Sequence, residues 1–317
     1  MTAVCGGHNA IELVLLLIGG CLMRSTVARH NERPTQTGAW KVPTGFRAYH
    51  LDAPLASGIA TLASRGHRGL TILDMGAGKG LYVRYLRASG LRNVTGYEGV
   101  HNIEELTSGR ILHREFTTPF SPCPQFDVTI CLEVAEHIPR DREHTFLANV
   151  NCSTRDGLIF SWAPPTQPGT GHVNQRKRED ALARLRAIGF VVDRAATNYL
   201  EQRATLYWFK RNVIALHRLG APSPFELDNE ARALVSSGIS AAGSGSSSGA
   251  AVRSAGGGVR THAGSTAARN EERRWVDKVR SGYAKLEARV DELKLGGDVL
   301  LSQATAEMLK ALSVLEL

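Results

Sequence analysis

The chain is predicted to fold as an α/β protein, with a parallel sheet covered by helices on both faces. Three observations carry this. Between Leu51 and Arg218 short apolar runs alternate with amphipathic stretches at the spacing of β–α units. A glycine-rich turn, "LDMGAGKG" from Leu73 to Gly80, joins an apolar run to a helix-like segment. The composition, 43% hydrophobic and 21% charged over 317 residues, is that of a globular protein able to bury a sizeable core.

The elements follow in order. "LTILDM" (70–75) reads as a buried strand, 79–89 as a helix and "NVTGYE" (93–98) as the next strand. "FDVTICL" (126–132) is a strand, and 139–150 a helix opened by Pro139. "GLIFSWA" (157–163) is a strand, 174–188 a charged helix and "GFVVDRAAT" (189–197) a strand. "TLYWFKRNVIALHR" (205–218) closes the series as a long strand or hairpin.

Outside this region the character changes, which divides the chain into four parts. Residues 1–44 hold an apolar segment and a polar arm, 45–221 the α/β domain, 222–268 a linker and 269–317 a helical segment. Residues 236–268 are mainly Gly, Ser and Ala, which bury too little surface to order themselves. Val276, Val279, Tyr283, Leu286, Val290 and Leu293 form an a/d stripe that stops at Gly296-Gly297. A tethered helical hairpin is the expected form and a packed lid its alternative; the stripe at 275–294 also offers a surface for self-association.

The apolar stretch Ala10–Met23 lacks a preceding Lys or Arg, whereas Arg24 and Arg29 follow it. A membrane-associated segment, a cleaved signal and a soluble helix all fit it. Charge behind the segment favours a cytoplasmic or cytoplasm-facing location. The five cysteines show no CxxC or Cys/His zinc spacing, so free thiols in a reducing compartment and no metal site are expected. The net charge of +8 comes with scattered arginines and no nucleic-acid-binding signature, and reads as a solvated basic surface.

Three kinds of ligand use glycine-rich turns. A phosphate-binding P-loop fails, because Lys79 is followed by Gly80 and its first glycine position is Leu73. The dinucleotide fingerprint fails at Leu81, and Asp74 would stand close to the pyrophosphate. The remaining pattern is an acidic residue followed by GxGxG: Asp74, Gly76, Ala77, Gly78, Lys79, Gly80. Here the chain resembles the class I S-adenosylmethionine-dependent methyltransferases. Asp74 suits the ammonium of the cofactor's methionine end, and the glycines let backbone amides approach it.

The companions of the turn extend the resemblance. Glu98 in "GYEG" ends the next strand, where a carboxylate can accept both ribose hydroxyls. "FDVTICLEVAEHIP" resembles the fourth-strand motif E-x-x-E-H of ubiquinone-biosynthesis-like members, here Glu133, Glu136 and His137. "REFTTPF" resembles the segment whose acidic residue meets the adenine amino group, with Glu115 in place of the usual Asp. The resemblance covers about residues 45–218. It implies a Rossmann-like seven-stranded methyltransferase sheet with the last strand antiparallel, and S-adenosyl-L-methionine bound by Asp74, Gly76, Ala77, Gly78, Gly80, Glu98, Glu115 and Glu133.

For the reacting end, His137 follows the fourth strand and His172 lies in the loop "SWAPPTQPGTGHVNQRKRED" (161–180); both are candidate bases. Trp162, Gln167 and Asn174 in the same loop are candidate acceptor contacts. No NPPY-type tetrad follows the fourth strand, which disfavours DNA-adenine or glutamine methylation. The expected activity is methyl transfer to an acceptor, a small molecule before a macromolecule. The competing readings are a cofactor-binding scaffold without turnover that acts through the C-terminal helices, and an NAD-dependent oxidoreductase.

Overall fold

The computed structural model describes residues 35–40, 50–65, 69–225, 227, 232, 270–271 and 273–281. The apolar segment 10–23, most of the linker and the later part of the a/d stripe lie outside these residues. Among the described residues no helix is long and apolar enough to cross a membrane.

Seven strands form one sheet in the order β3-β2-β1-β4-β5-β7-β6. They are β1 Ile72–Met75, β2 Val94–Glu98, β3 Leu112–His113, β4 Phe126–Cys131, β5 Thr154–Phe160, β6 Phe190–Val192 and β7 Ile214–Arg218. β7 runs antiparallel to both β5 and β6, and every other neighbouring pair is parallel. The helices are α1 Ala53–Arg65, α2 Leu81–Ala88, α3 Ile103–Leu106, α4 Glu143–Ser153, α5 Arg178–Ala187, α6 Arg194–Arg203 and α7 Phe209–Asn212. β1 is buried along its whole length because helices cover both of its faces. Leu73, Met75, Phe146, Leu158, Phe160, Leu185, Phe190 and Leu216 lie in one apolar cluster.

β1 pairs with β2 on one side and with β4 on the other. Chain order reverses there, and the helical connections leave a crevice at the carboxyl ends of these strands. Asp74 and Glu98 sit at those ends, so the fold itself brings the two acidic positions together.

Several boundaries differ from expectation, each for a local reason. The helix assigned to 139–150 begins at Glu143, because Pro139 and Arg142 close a turn first (Arg142 N to Pro139 O, 2.9 Å). The strand assigned to 189–197 stops at Val192, since the Asp193 carboxylate accepts from Ala196 N at 2.9 Å and caps α6. The long strand or hairpin expected over 205–218 is reduced to a strand over Ile214–Arg218. Its first half is held away by buried Asp52, which accepts from Thr205 N (2.7 Å) and Leu206 N (2.8 Å) as well as from Leu55 N in α1 (3.1 Å).

Two further expectations are corrected. Cys123 and Cys152 form a disulfide with Cα atoms 6.2 Å apart, and Cys131 is free and buried. The free-thiol reading therefore fails for this pair, because the turn before β4 and the end of α4 meet side by side. The helical segment 273–281 packs on the domain: Trp275, Val276 and Val279 are buried. The Arg84 guanidinium lies 4.1 Å from the Trp275 ring centre, and Arg280 Nε donates to the Tyr85 hydroxyl at 3.1 Å. The first part of the a/d stripe is thus spent on α2.

Candidate functional site

The glycine turn takes its shape from three left-handed residues, Gly76, Gly78 and Gly80, with φ of +91°, +53° and +80°. At Gly76 a β-carbon would stand 2.2 Å from Val134 Cγ2, and at Gly80 2.6 Å from Ile111 Cδ1. Conformation and space together require glycine at both positions. The amides of Gly76 and Ala77 both donate to Tyr97 O at 2.9 Å, which folds the turn over the end of β2.

Glu98 locks that arrangement. Its Oε2 accepts from Gly78 N (2.8 Å), and its Oε1 from Gly99 N (2.8 Å) and Val100 N (3.3 Å). Burial nevertheless raises its pKa against these amides. Asp74 is 4% exposed, and its Oδ2 has no hydrogen-bond partner. Burial, with the charge of Glu98 added, pushes its pKa up to about 7. A site with two buried carboxylates and one orphaned oxygen is built for a positively charged group. Glu115 contributes less than expected here: its Oε1 accepts from the Thr117 amide and hydroxyl, both at 2.8 Å, and closes a turn after β3.

The second half of the site lies after β4 and β5. Glu133 adopts a left-handed φ of +54°, rare for a residue with a side chain. Ser161 Oγ holds it there, accepting from Glu133 N at 2.7 Å and donating to Glu133 Oε1 at 2.8 Å. Gln167 Nε2 donates to Glu133 Oε2 at 2.5 Å, and Asn212 Nδ2 to Gln167 Oε1 at 2.5 Å. Sequence reasoning assigned Glu133 to the cofactor and Gln167 to the acceptor. The structure instead pairs them with each other, joining β4 to the loop after β5 and to α7.

Trp162 and Asn174 have a similar fate. Trp162 is buried beside Phe160 and donates Nε1–H to Asn174 O at 2.6 Å. Asn174 has no exposed surface, and its Nδ2 donates to Glu143 Oε2 at 2.8 Å. Glu143 also takes Arg176 Nη2 at 2.8 Å and Arg184 Nε at 2.5 Å, and these partners lower its pKa although burial opposes them. These side chains are struts of the loop, where acceptor contacts were expected. Glu143, Ser161 and Asn212, which sequence reasoning missed, complete the frame. Their signal was tertiary, since each is an ordinary polar residue in its own segment.

What the frame holds in place is a histidine pair. His137 Nδ1 lies 3.1 Å from Gly171 O, and His172 Nδ1 lies 3.2 Å from Gln167 O. Their rings meet edge to face with centres 4.9 Å apart, and Trp40 of the N-terminal arm lies 5.5 Å from His137. Burial, with the charge of His172 added, pushes His137 down to about 4, so it is neutral at physiological pH. Such a pKa makes His137 a weak base and a free lone-pair donor. Glu136 stands beside the pair with no exposed surface and no cationic partner among the described residues, next to the Glu133 carboxyl. Burial, then the neighbouring Glu133, raise its pKa well above the ordinary carboxylate range. Glu136, His137 and His172 place ligand atoms within 4.8 Å of one another, a grouping that spacing along the chain did not reveal.

Residues 47–192 match the family model described as "Methyltransferase domain". No curated protein matches the chain. Similar solved structures include a magnesium protoporphyrin IX methyltransferase from Synechocystis PCC 6803 with bound SAH, at 18% identity and TM-score 0.41, over 52% of this chain and 83% of that one. A TehB-like SAM-dependent methyltransferase from Corynebacterium glutamicum is similar at 17% identity and TM-score 0.41, over 55% and 90% of the two chains. CalS10, an amino pentose methyltransferase from Micromonospora echinaspora, is similar at 16% identity and TM-score 0.41, over 54% and 92%.

Proposed function

We propose that this chain, a class I S-adenosylmethionine-dependent methyltransferase through its residues 47–192, transfers a methyl group to a small-molecule acceptor. One observation supports this above the others: the buried, unpartnered Asp74 Oδ2 beside Glu98, under a turn that only glycines can form.

The residues present fit S-adenosyl-L-methionine. Asp74 would receive its ammonium, Glu98 its ribose hydroxyls, and the glycine turn its amino-acid portion. When bound, the cofactor supplies a methyl group already activated on sulfur. The protein's share is then to align donor and acceptor, and orientation of that kind supplies up to about 7–11 kcal/mol of a barrier. The pinned loop after β5 and the arm at Thr35–Trp40 serve this by enclosing the histidine pair. A small acceptor suits such a site, since the His172 side chain is only 10% exposed and Glu136 fully buried.

The test is a calorimetric titration of the full chain with S-adenosylhomocysteine and, separately, with NAD. Heat with S-adenosylhomocysteine alone, lost in Asp74→Asn, is expected. Heat with NAD alone would transfer the chain to the oxidoreductase reading.

A further inference from the structure

We infer that Glu136, His137 and His172 form a binding site for a divalent transition-metal ion next to the cofactor crevice. Their ligand atoms lie within 4.8 Å of one another, and His172 Nε2 stands 4.0 Å from Glu136 Oε1. Metal–ligand bonds of about 2.0–2.2 Å put neighbouring ligands about 3–3.5 Å apart, so the set closes with a movement of about 1 Å.

Three further features point to a cation and not to a polar cluster complete in itself. First, Glu136 is fully buried with no cationic partner among the described residues and no donor in hydrogen-bond geometry on either oxygen, its polar neighbours being the Glu133 carboxyl and the Ala163 backbone. A carboxylate ionises in such a place only at a cost, which a bound cation would offset. Second, each imidazole has Nδ1 directed at a main-chain oxygen, Gly171 for His137 and Gln167 for His172. That contact holds the proton on Nδ1 and leaves the Nε2 lone pair available, as metal-bound histidines require. Third, the set is rigidly mounted. Glu136 O accepts from both Val173 N and Asn174 N at 2.9 Å, which staples the turn carrying Glu136 and His137 to the loop carrying His172. Even the space around the ring is reserved, since a β-carbon on Gly169 would stand 2.2 Å from His172 Nε2.

Two imidazoles and one carboxylate suit borderline cations such as Zn²⁺, Mn²⁺, Fe²⁺ or Co²⁺ better than Ca²⁺. Three protein ligands leave positions for water or for an oxygen of the acceptor. Only that last use rests on the methyl-transfer reading; the site itself does not.

The full-length protein, stripped with a chelator and dialysed, is titrated with Co²⁺. One equivalent is expected to bind with visible d–d absorption and to be displaced by Zn²⁺. Proton NMR of the Co²⁺ form should show two strongly shifted, solvent-exchangeable resonances from the Nδ1–H groups of two bound imidazoles. Glu136→Gln and His172→Ala should each weaken binding at least tenfold, and His172→Ala should remove one shifted resonance. Absence of stoichiometric binding, fewer than two imidazole resonances in the wild type, or affinity unchanged in both variants would overturn the site. S-adenosylhomocysteine titration of each variant monitors folding. In the wild type it also separates the two readings, because cobalt binding without S-adenosylhomocysteine binding refutes the methyl-transfer reading alone.

Discussion

The Glu98 carboxylate accepts the Gly78 amide at 2.8 Å, so the acidic end of β2 and the glycine turn after β1 form one unit. A side chain at Gly78 breaks it twice, by intruding on the ligand's side and by opposing a φ of +53°. Gly78→Val should abolish S-adenosylhomocysteine binding in calorimetry. It should also cost about 1–2 kcal/mol of stability in a denaturant melt, the usual penalty of a left-handed non-glycine residue. Undiminished affinity would place the ligand elsewhere.

Asp74 gives the cofactor site a pH dependence of known sign. Its pKa is about 7 in the fold against 3.8 as the ordinary value, so the folded protein binds the extra proton between these limits. Its contribution to the stability of the free protein is present at acid pH and lost as pH rises through 7. An ammonium ligand needs the ionised form, so affinity should change oppositely. S-adenosylhomocysteine binding should strengthen by up to about tenfold per pH unit from 5.5 towards 7 and flatten above. Asp74→Asn, which is expected to lose the binding itself, should also remove the stability slope.

Gln167 is the link between Glu133 and Asn212. Gln167→Ala leaves polar groups of both unpaired in a buried place, which costs about 1–3 kcal/mol for each such group. Chemical denaturation should show a loss in that range. S-adenosylhomocysteine affinity should stay within about threefold, since the Asp74–Glu98 half has its own hydrogen bonds. Full stability in the variant would mean that water replaces the amide.

The Cys123–Cys152 bond closes a loop over a separation of 29 residues. In the chain-entropy account a loop of that size stabilises by roughly 3–4 kcal/mol. Melts with and without reductant should differ in the wild type, and the difference should vanish in the Cys123→Ser, Cys152→Ser double variant. Mass spectrometry of alkylated native protein checks the bond directly.

Trp275, Val276 and Val279 cover part of α2. Trp275→Ala should lower stability by about 2–4 kcal/mol, somewhat below or within the range for large core aromatics. Truncation before residue 270 should leave a folded sheet that melts at lower temperature and still binds S-adenosylhomocysteine. An unchanged melting temperature would show that this packing contributes nothing.

The amino-acid sequence by itself determined the parts of this protein that depend on neighbours along the chain. Apolar runs of strand length, broken by amphipathic stretches, specify a sheet with helices on both faces. Asp74, the glycines and Glu98 are legible because the turn needs glycine for left-handed backbone and the acids close successive strands. The resemblance carried by these motifs supplied the strand count and the antiparallel last strand. Tertiary structure decided whatever depends on residues far apart in the chain. The true extent of β6 and β7 was set by the Asp193 cap and by Asp52 reaching Thr205 and Leu206. Trp162, Gln167 and Asn174 have the polar chemistry of acceptor contacts, yet Asn174 O takes the Trp162 N–H, Glu133 and Asn212 hold Gln167, and Glu143 holds Asn174. His172 meets Glu136 and His137 only because the loop after β5 folds back over the end of β4 and bonds Glu136 O. Local pattern fixes backbone conformation and burial, whereas the partner of a buried polar group is chosen by whichever distant segment arrives beside it.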